Sequence, residues 1–181
     1  MVNEGILVMA ALLAGQRSLE LYIARKNYIW MMARGGQEVG RSHYWLFWVL
    51  HGSWFIGWIV EGGFLQHSLN PFWQLWIGTF IMAQLLRYWC IHSLGRCWNT
   101  RILVTPGENR VRKGPYRFIR HPNYIAVAME LFAVPLIFNA TMTAIVATLL
   151  NSWLILAIRV PAEEKALCRY LNKTAGTTHT K

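Results

Sequence analysis

The sequence predicts an all-α integral membrane protein with about five transmembrane helices. Hydrophobic residues make up 55% of the 181 residues and charged residues only 14%, about half the charged share of an ordinary soluble domain. The chain also contains 10 Trp and 7 Tyr residues, types that gather at bilayer interfaces. Apolar stretches long enough to cross a hydrocarbon core of about 30 Å alternate with polar segments along the chain.

Each apolar stretch is an expected span. The first carries Arg17 and Glu20 three residues apart, where they can pair on one helix face. Gly35 and Gly36 interrupt the basic segment that follows it, and Pro71 is well placed to begin the third span. The last two stretches are joined by so few residues that they should form a helical hairpin. The expected spans are residues 5–24, 44–66, 72–93, 122–138 and 141–158.

The basic residues predict a topology. Segments 25–43, 94–120 and 159–181 hold nearly all the Lys and Arg, whereas 67–70 and 139–140 hold none. The positive-inside rule therefore places the N-terminus outside and the C-terminus in the cytosol. The net charge is +10, but its placement between apolar spans favours contact with anionic headgroups, and we expect no nucleic-acid partner.

One compact unit is expected at this length, so we predict a single domain over residues 1–181. Its three cysteines, Cys90, Cys97 and Cys168, show no CxxC pair or zinc spacing, and we expect a reduced environment and no metal site. The 94–121 loop and the C-terminal segment should meet on the cytosolic side, where a soluble cofactor would arrive. The expected cofactor-site segments are residues 94–124 and 159–167.

The run GPYRFIRHPNY, residues 114–124, is the first candidate site. Pro122 should be the first residue of the fourth span. The free N–H groups of Asn123, Tyr124 and Ile125 would then face the boundary, and such a helix end attracts a carboxylate or phosphate.

Aromatic side chains in this run suggest a purine ligand. Tyr116 and Tyr124 could stack on the ring, and His121 could form a hydrogen bond with it. The alternative is an ordinary interfacial helix start with Tyr and Arg anchors, which the run alone favours.

The run RVPAEEKAL, residues 159–167, is the second candidate. Glu163 and Glu164 could bind an amino group or ribose hydroxyls near Arg159. Alternatively, Pro161 followed by acids is what a helix N-terminus prefers.

Together, RHPNY and RVPAEE some 40 residues later resemble the isoprenylcysteine carboxyl methyltransferase family, and LGRCWN at residues 94–99 is similar to another element of it. The N-terminal ARKNYIWMMARGGQEVGRSHYW and the later AVAME resemble a bacterial branch found beside type III polyketide synthases, which O-methylates alkylpyrones or alkylresorcinols. The resemblance implies S-adenosyl-L-methionine as cofactor, a lipid-like substrate, the bacterial cell membrane and a functional link to such a synthase.

The resemblance also implies roles for residues. Arg159 would orient the anion of the substrate, as the catalytic contact. The implied cofactor contacts are Glu108, Asn109, Arg110, Val111, Tyr116, His121, Pro122, Asn123, Tyr124 and Glu163. The supporting or substrate candidates are Trp98, Asn99, Arg120, Glu130 and Glu164.

The acceptor decides whether a base is needed. A carboxylate is ionised at neutral pH and needs none, and an acidic enol needs little help. A phenol, with a pKa of about 10, would call for a base, with His121 or Glu130 as candidates. The alternative for Glu130 is a helix–helix hydrogen bond or an ion pair with Arg87, which is slightly favoured.

We therefore predict an S-adenosyl-L-methionine-dependent O-methyltransferase acting on a carboxylate or an enol/phenol oxygen of a lipid at the cytosolic face. One alternative is an NADPH-dependent sterol or enone reductase, since such enzymes have a similar Arg-His-Pro-x-Tyr helix. The others are a phospholipid N-methyltransferase and a non-catalytic membrane scaffold.

Overall fold

The computed structural model describes residues 2–66, 68–105 and 111–176, with the side chains of residues 4–66, 68–105 and 111–168. The helices are α1 (Val2–Met32), α2 (Tyr44–Val60), α3 (Trp73–Leu94), α4 (Pro122–Ile137), α5 (Thr141–Leu154) and α6 (Val160–Gly176). Short 3₁₀ turns cover Arg41–His43, Gly95–Cys97 and Gly114–Arg117, and π-helical turns cover Glu61–Gln66 and Ile155–Arg159. The mainly helical fold is as expected.

Helix α4 lies at the centre of the bundle, between α3 and α5, and α2 packs against α5. Its Ala126 and Leu131 are fully buried. Pro135 lies inside α4 and has no N–H, so the Leu131 carbonyl has no helical donor. The indole Nε1 of Trp54 on α2 donates to that carbonyl at 3.0 Å. The Trp54 indole therefore supplies the hydrogen bond that Pro135 cannot donate.

Helices α4 and α5 form a tight hairpin, as predicted. Asn139 takes the left-handed conformation in the link, with φ of 60°, which Asn tolerates better than most residues. Glu61, at the end of α2, accepts hydrogen bonds from the backbone N–H groups of Met142 and Thr143 at 2.9 and 2.8 Å. A carboxylate at this position satisfies and stabilises the N-terminus of α5.

The chain stays helical from α5 into α6. The π-helical turn Ile155–Arg159 joins the two helices without a break, so the alternative that Pro161 begins a new helix is wrong. Pro161 cannot donate to a carbonyl one turn earlier, and a widened turn just before it accommodates that missing bond. Arg159 and Glu163 therefore project from one continuous rod.

A two-stranded ribbon departs from the all-α prediction. Strand β1 (Gln37–Val39) pairs antiparallel with β2 (Ile102–Val104). Glu38 lies opposite Leu103 in this register. The ribbon joins the two polar segments that were expected to be loops and holds them at the same end of the bundle.

A closed ring of charges ties α1 to α3 and α4. Arg17 pairs with Glu20 at 2.7 Å, Glu20 with Arg87 at 3.2 Å, and Arg87 with Glu130 at 2.9 Å. Arg17 also pairs with Glu130 and so closes the ring. The expected pairs Arg17–Glu20 and Arg87–Glu130 are both confirmed. Each buried charge has two opposite partners, which offsets its cost in an apolar bundle.

Two helices in the described part of the chain are long and apolar enough to cross a membrane, Glu4–Met32 and Thr141–Cys168. Pro122–Ile137 is a shorter apolar helix. Large apolar side chains cover the outer faces of the helices, with Leu12 62% and Leu156 70% exposed, as a bilayer-facing surface requires. The count of five spans and the orientation of the termini remain predictions.

Candidate functional site

A cavity of about 180 Å³ lies at the end of the bundle where α4 begins and the α5–α6 rod leaves the core. Residues 94–105 form one wall, and the opposite wall comes from residues 116–124 and 159–167. The structure therefore brings together the two runs selected from the sequence. The predicted residues that line the cavity are Trp98, Asn99, Val111, Tyr116, Arg120, His121, Asn123, Tyr124, Arg159 and Glu163.

A hydrogen-bonded chain crosses the cavity from Arg159 to Glu163. The Arg159 Nε donates to the Tyr124 hydroxyl at 2.9 Å, and that hydroxyl donates to the Glu163 carboxylate at 2.6 Å. The Arg159 Nη2 donates to the Thr100 carbonyl at 2.6 Å. These bonds hold the guanidinium in place, while its Nη1 has no hydrogen-bond partner among the described residues.

Aromatic rings flank the same guanidinium. The Arg159 Cζ lies 5.3 Å from the ring centroid of Phe47 on α2 and 5.6 Å from that of Tyr124. A second cavity of about 20 Å³ shares Arg159 and Arg101 with the first and extends to Phe47. This volume holds about one water molecule. Arg159 thus lies in the wall between the cavity and helix α2.

Four residues that line the cavity each have a buried polar atom without a hydrogen-bond partner within the described part of the chain. The atoms are Trp98 Nε1, Thr105 Oγ1, His121 Nε2 and Asn123 Oδ1. Buried polar groups are nearly always paired in native proteins, with protein or with ordered water. Unpaired donors and acceptors are thus concentrated in the residues around this cavity.

The helix start differs from the prediction in one detail. The Tyr124 N–H is not free, because it donates to the His121 carbonyl at 3.2 Å. The His121 ring stacks on Tyr124 with centroids 5.3 Å apart and an interplanar angle of 11°. One face of Tyr124 is therefore already covered, which leaves Tyr116 as the better stacking surface for a purine.

Tyr116 is held in the wall by a close approach of the loop to α3. Gly114 has φ of +56°, and a Cβ on it would lie 2.0 Å from the Ser93 Oγ and 2.9 Å from the Trp89 Nε1. Burial raises the pKa of Tyr116, so its phenol remains a neutral hydrogen-bond donor.

Several predicted residues do not line the cavity. Pro122 is buried and acts as the first residue of α4. The Glu164 side chain is 44% exposed, with its carboxylate 3.7 Å from Arg120. Glu130 belongs to the buried charge ring, which bears out the alternative of an ion pair with Arg87. Glu108, Asn109 and Arg110 lie outside the described residues.

Asn99 lines the cavity but uses its amide elsewhere. Its Nδ2 donates to the Ala24 carbonyl on α1 at 2.8 Å, and its Oδ1 accepts from the Arg101 N–H at 3.0 Å. Asn27 on α1 donates to the Trp98 carbonyl at 2.7 Å. These bonds fix the loop that carries Trp98 against α1.

Sequence reasoning missed part of the cavity. Arg101 and Thr105 line it and lie within the expected segment 94–124, but no local pattern singled them out. Met31 also lines the cavity and Phe47 contacts Arg159 from α2. These two residues lie outside the expected segments, because only the packing of α1 and α2 brings them to the site.

The sequence was compared with known proteins. A model of the isoprenylcysteine carboxyl methyltransferase family matches residues 76–169, which include every described residue that lines the cavity except Met31. An uncharacterized protein of Bacillus subtilis, YpbQ, is 36% identical over 163 residues, or 90% of this chain and 96% of the relative. An uncharacterized protein of Haemophilus influenzae is 26% identical over 159 residues, or 87% and 92%. No solved structure matches the chain.

Proposed function

This chain belongs to the isoprenylcysteine carboxyl methyltransferase family, a family of membrane methyltransferases, and we propose that it is an S-adenosyl-L-methionine-dependent O-methyltransferase. Its acceptor is a carboxylate or an enol/phenol oxygen of a lipid-like molecule, and transfer takes place at the cytosolic membrane face. The observation that carries the proposal is the Arg159–Tyr124–Glu163 chain, which links a cation suited to an anionic acceptor with an acid suited to the cofactor.

The described residues fit the proposed cofactor. Its adenine and ribose need hydrogen-bond partners, and the lining residues Trp98, His121 and Asn123 each have a buried polar atom that is unpaired within the described part of the chain. Its ammonium group needs an anion, and Glu163 supplies a carboxylate there. When bound, the cofactor supplies a methyl group on a positively charged sulfur.

Arg159 would orient the acceptor oxygen. Its guanidinium is always protonated and is fixed by two hydrogen bonds, while Nη1 is open to an acceptor. A group held in place before the acceptor arrives saves the cost of orienting it during the reaction. Because a carboxylate is already ionised at neutral pH, no base is required for it.

Arg159 is the feature of the cavity wall that favours an anionic acceptor. Arg101 and Arg120 also line the cavity, but their side chains lie 2.8 Å from Glu38 and 3.7 Å from Glu164. Arg159 has no direct carboxylate partner among the described side chains and reaches Glu163 through the Tyr124 hydroxyl. A guanidinium beside the acceptor favours an anionic oxygen over the cationic amine of phosphatidylethanolamine, which supports O-methylation over the alternative of phospholipid N-methylation.

The acceptor's tail would enter sideways from the bilayer. Phe47 and Ile158, which line the small second cavity beside Arg159, lie on α2 and on the π-helical turn after α5. A tail between these helices would leave the polar head at Arg159. The alkylpyrone or alkylresorcinol acceptor and the link to a type III polyketide synthase remain predictions.

Labelled methyl transfer tests the proposal. Purified protein in detergent is supplied with methyl-labelled S-adenosyl-L-methionine and one of four acceptors: a prenylcysteine, an alkylpyrone, an alkylresorcinol or phosphatidylethanolamine. We expect label in an acceptor with an acidic oxygen. Label in phosphatidylethanolamine alone would contradict the choice of an oxygen acceptor, and label in none would contradict catalysis of this class.

Substitution of Arg159 tests its assigned role. Arg159→Ala should raise the KM for an anionic acceptor at least about tenfold, because a hydrogen bond to a charged group contributes about 1.5–3 kcal/mol, and it should leave the KM for the cofactor nearly unchanged. Arg117→Ala removes an exposed arginine outside the cavity and is the matched control. A larger change in the KM for the cofactor than for the acceptor contradicts the role.

A further inference from the structure

Two arginines converge on one indole ring beside the cavity. The Arg34 Cζ lies 4.0 Å from the ring centroid of Trp30, and the Arg96 Cζ lies 5.4 Å from it. Trp30 is in the last turn of α1, Arg34 follows that helix, and Arg96 is in the 3₁₀ turn after α3. The two cations therefore come from the ends of two different helices, and the tryptophan holds them together.

Neither arginine has a carboxylate within ion-pair distance among the described side chains. By contrast, Arg87 and Arg101 each pair with a glutamate. Both Arg34 and Arg96 are exposed. Two positive charges beside one ring, with no carboxylate partner in the described part of the chain, produce a local field that attracts an anion.

The rest of the α1 face continues the pattern. Lys26 lies four residues before Trp30, on the same face of the helix, and its Nζ is 5.5 Å from the ring centroid of Tyr22. Further into the span on this face, Tyr22 is 60% and Leu19 53% exposed. The face thus changes from cationic at the end of α1 to apolar within the span, which matches a molecule with an anionic head and an apolar tail.

The position also fits a membrane boundary. Met31 and Cys97, the immediate neighbours of Trp30 and Arg96, line the main cavity, so the arginine pair lies at the same end of the bundle. Tryptophan is enriched at the level of the headgroups. Basic pockets between membrane helices bind lipid headgroups, and a guanidinium can hold a phosphate through two parallel hydrogen bonds.

We propose that Trp30, Arg34 and Arg96 form a binding site for the phosphate of an anionic phospholipid, separate from the methyl acceptor. The headgroup phosphate binds at the two guanidiniums beside Trp30, and the acyl chains follow the apolar face of α1. Bound lipid joins the end of α1 to the turn after α3 and so stabilises the cavity wall at Met31 and Cys97. The site does not depend on the proposed methyl transfer.

Lipid retention measured by native mass spectrometry tests the site. Delipidated protein in detergent is titrated with phosphatidylglycerol or phosphatidylcholine of the same acyl chains. The wild type should bind phosphatidylglycerol more tightly, and Arg34→Gln/Arg96→Gln should lose about 25-fold in that affinity, or about fivefold for each arginine. Phosphatidylcholine binding should not change.

The matched control is Arg25→Gln/Arg41→Gln, which removes two other exposed arginines and should change the affinity less than about twofold. An equal loss in the control would show that only diffuse positive charge acts, and would overturn the site. Displacement of phosphatidylglycerol by millimolar inorganic phosphate would assign the site to free phosphate and overturn the lipid. If the double variant does not fold, the single variants serve, and a loss in neither of them overturns the proposal.

Discussion

Tyr124 is the residue through which the two halves of the site are connected. Its hydroxyl accepts from Arg159 and donates to Glu163, and its ring stacks on His121. A hydroxyl can accept and donate at once, which neither a phenylalanine nor a carboxylate could do here. One phenol thus links the residues that we propose for the acceptor and for the cofactor, Arg159 and Glu163.

Tyr124→Phe should therefore affect both ligands. Removal of the hydroxyl leaves the Arg159 Nε and one Glu163 oxygen without their partner, and hydrogen bonds to charged groups contribute about 1.5–3 kcal/mol each. We expect the affinity for S-adenosylhomocysteine to fall about tenfold, measured by calorimetry, and the KM for the acceptor to rise by a similar factor.

The control for this variant is Tyr28→Phe, whose hydroxyl donates to Glu38 at 3.3 Å in the ribbon and does not line the cavity. It should leave both ligands within about twofold of the wild type. An effect of Tyr124→Phe on one ligand only would show that the hydroxyl does not connect the two sides.

Which residues form the site was partly predictable at this scale. Tyr116, His121, Tyr124, Arg159 and Glu163 lie in two short runs whose residue types are unusual beside a membrane span, and all five line the cavity. Hydrogen-bond partners were harder to predict. Glu164 directly follows Glu163 and does not line the cavity itself; its carboxylate lies 3.7 Å from Arg120, which does.

At the scale of elements, the loop before α4 depends on one glycine. Gly114 combines a positive φ with contacts to Ser93 and Trp89 that leave no room for a Cβ. The contacts come from α3, on which the turn rests, and the turn positions Tyr116 in the cavity wall.

Gly114→Ala should displace this turn. A left-handed backbone costs a residue with a Cβ about 1–2 kcal/mol, and the clash with α3 adds to that cost. We expect a lower melting temperature in detergent and an affinity for S-adenosylhomocysteine reduced about tenfold. Gly78→Ala is the control, because a Cβ there meets no atom within 4 Å. Equal effects of the two substitutions would contradict a local role for Gly114.

The types of most elements were predictable from the sequence. The pairing of β1 with β2 and the joining of α5 to α6 were not. Span length and the position of Pro122 located α4 to within a residue, and the third span to within one residue at each end. The ribbon was missed because β1 and β2 are three residues each and pair across more than 60 residues of chain. The joining of α5 to α6 was missed because Pro161 usually marks a helix start.

At the scale of the whole molecule, the charge ring and the ribbon explain how the N-terminal part of the chain contributes to the site, although the family model does not match it. α1 precedes residues 76–169, yet its Arg17 and Glu20 pair with α3 and α4, and its Met31 lines the cavity. The sequence predicted the separate pairs Arg17–Glu20 and Arg87–Glu130. Their closure into one ring depends on tertiary packing.

The central claim is that the cavity binds S-adenosyl-L-methionine. Calorimetry on the detergent-purified protein with S-adenosylhomocysteine and with NADPH tests it most directly. We predict that S-adenosylhomocysteine binds, that NADPH does not, and that Glu163→Gln weakens the binding about tenfold because the ammonium group loses its charged partner. Binding of NADPH without S-adenosylhomocysteine would contradict the account and favour a reductase.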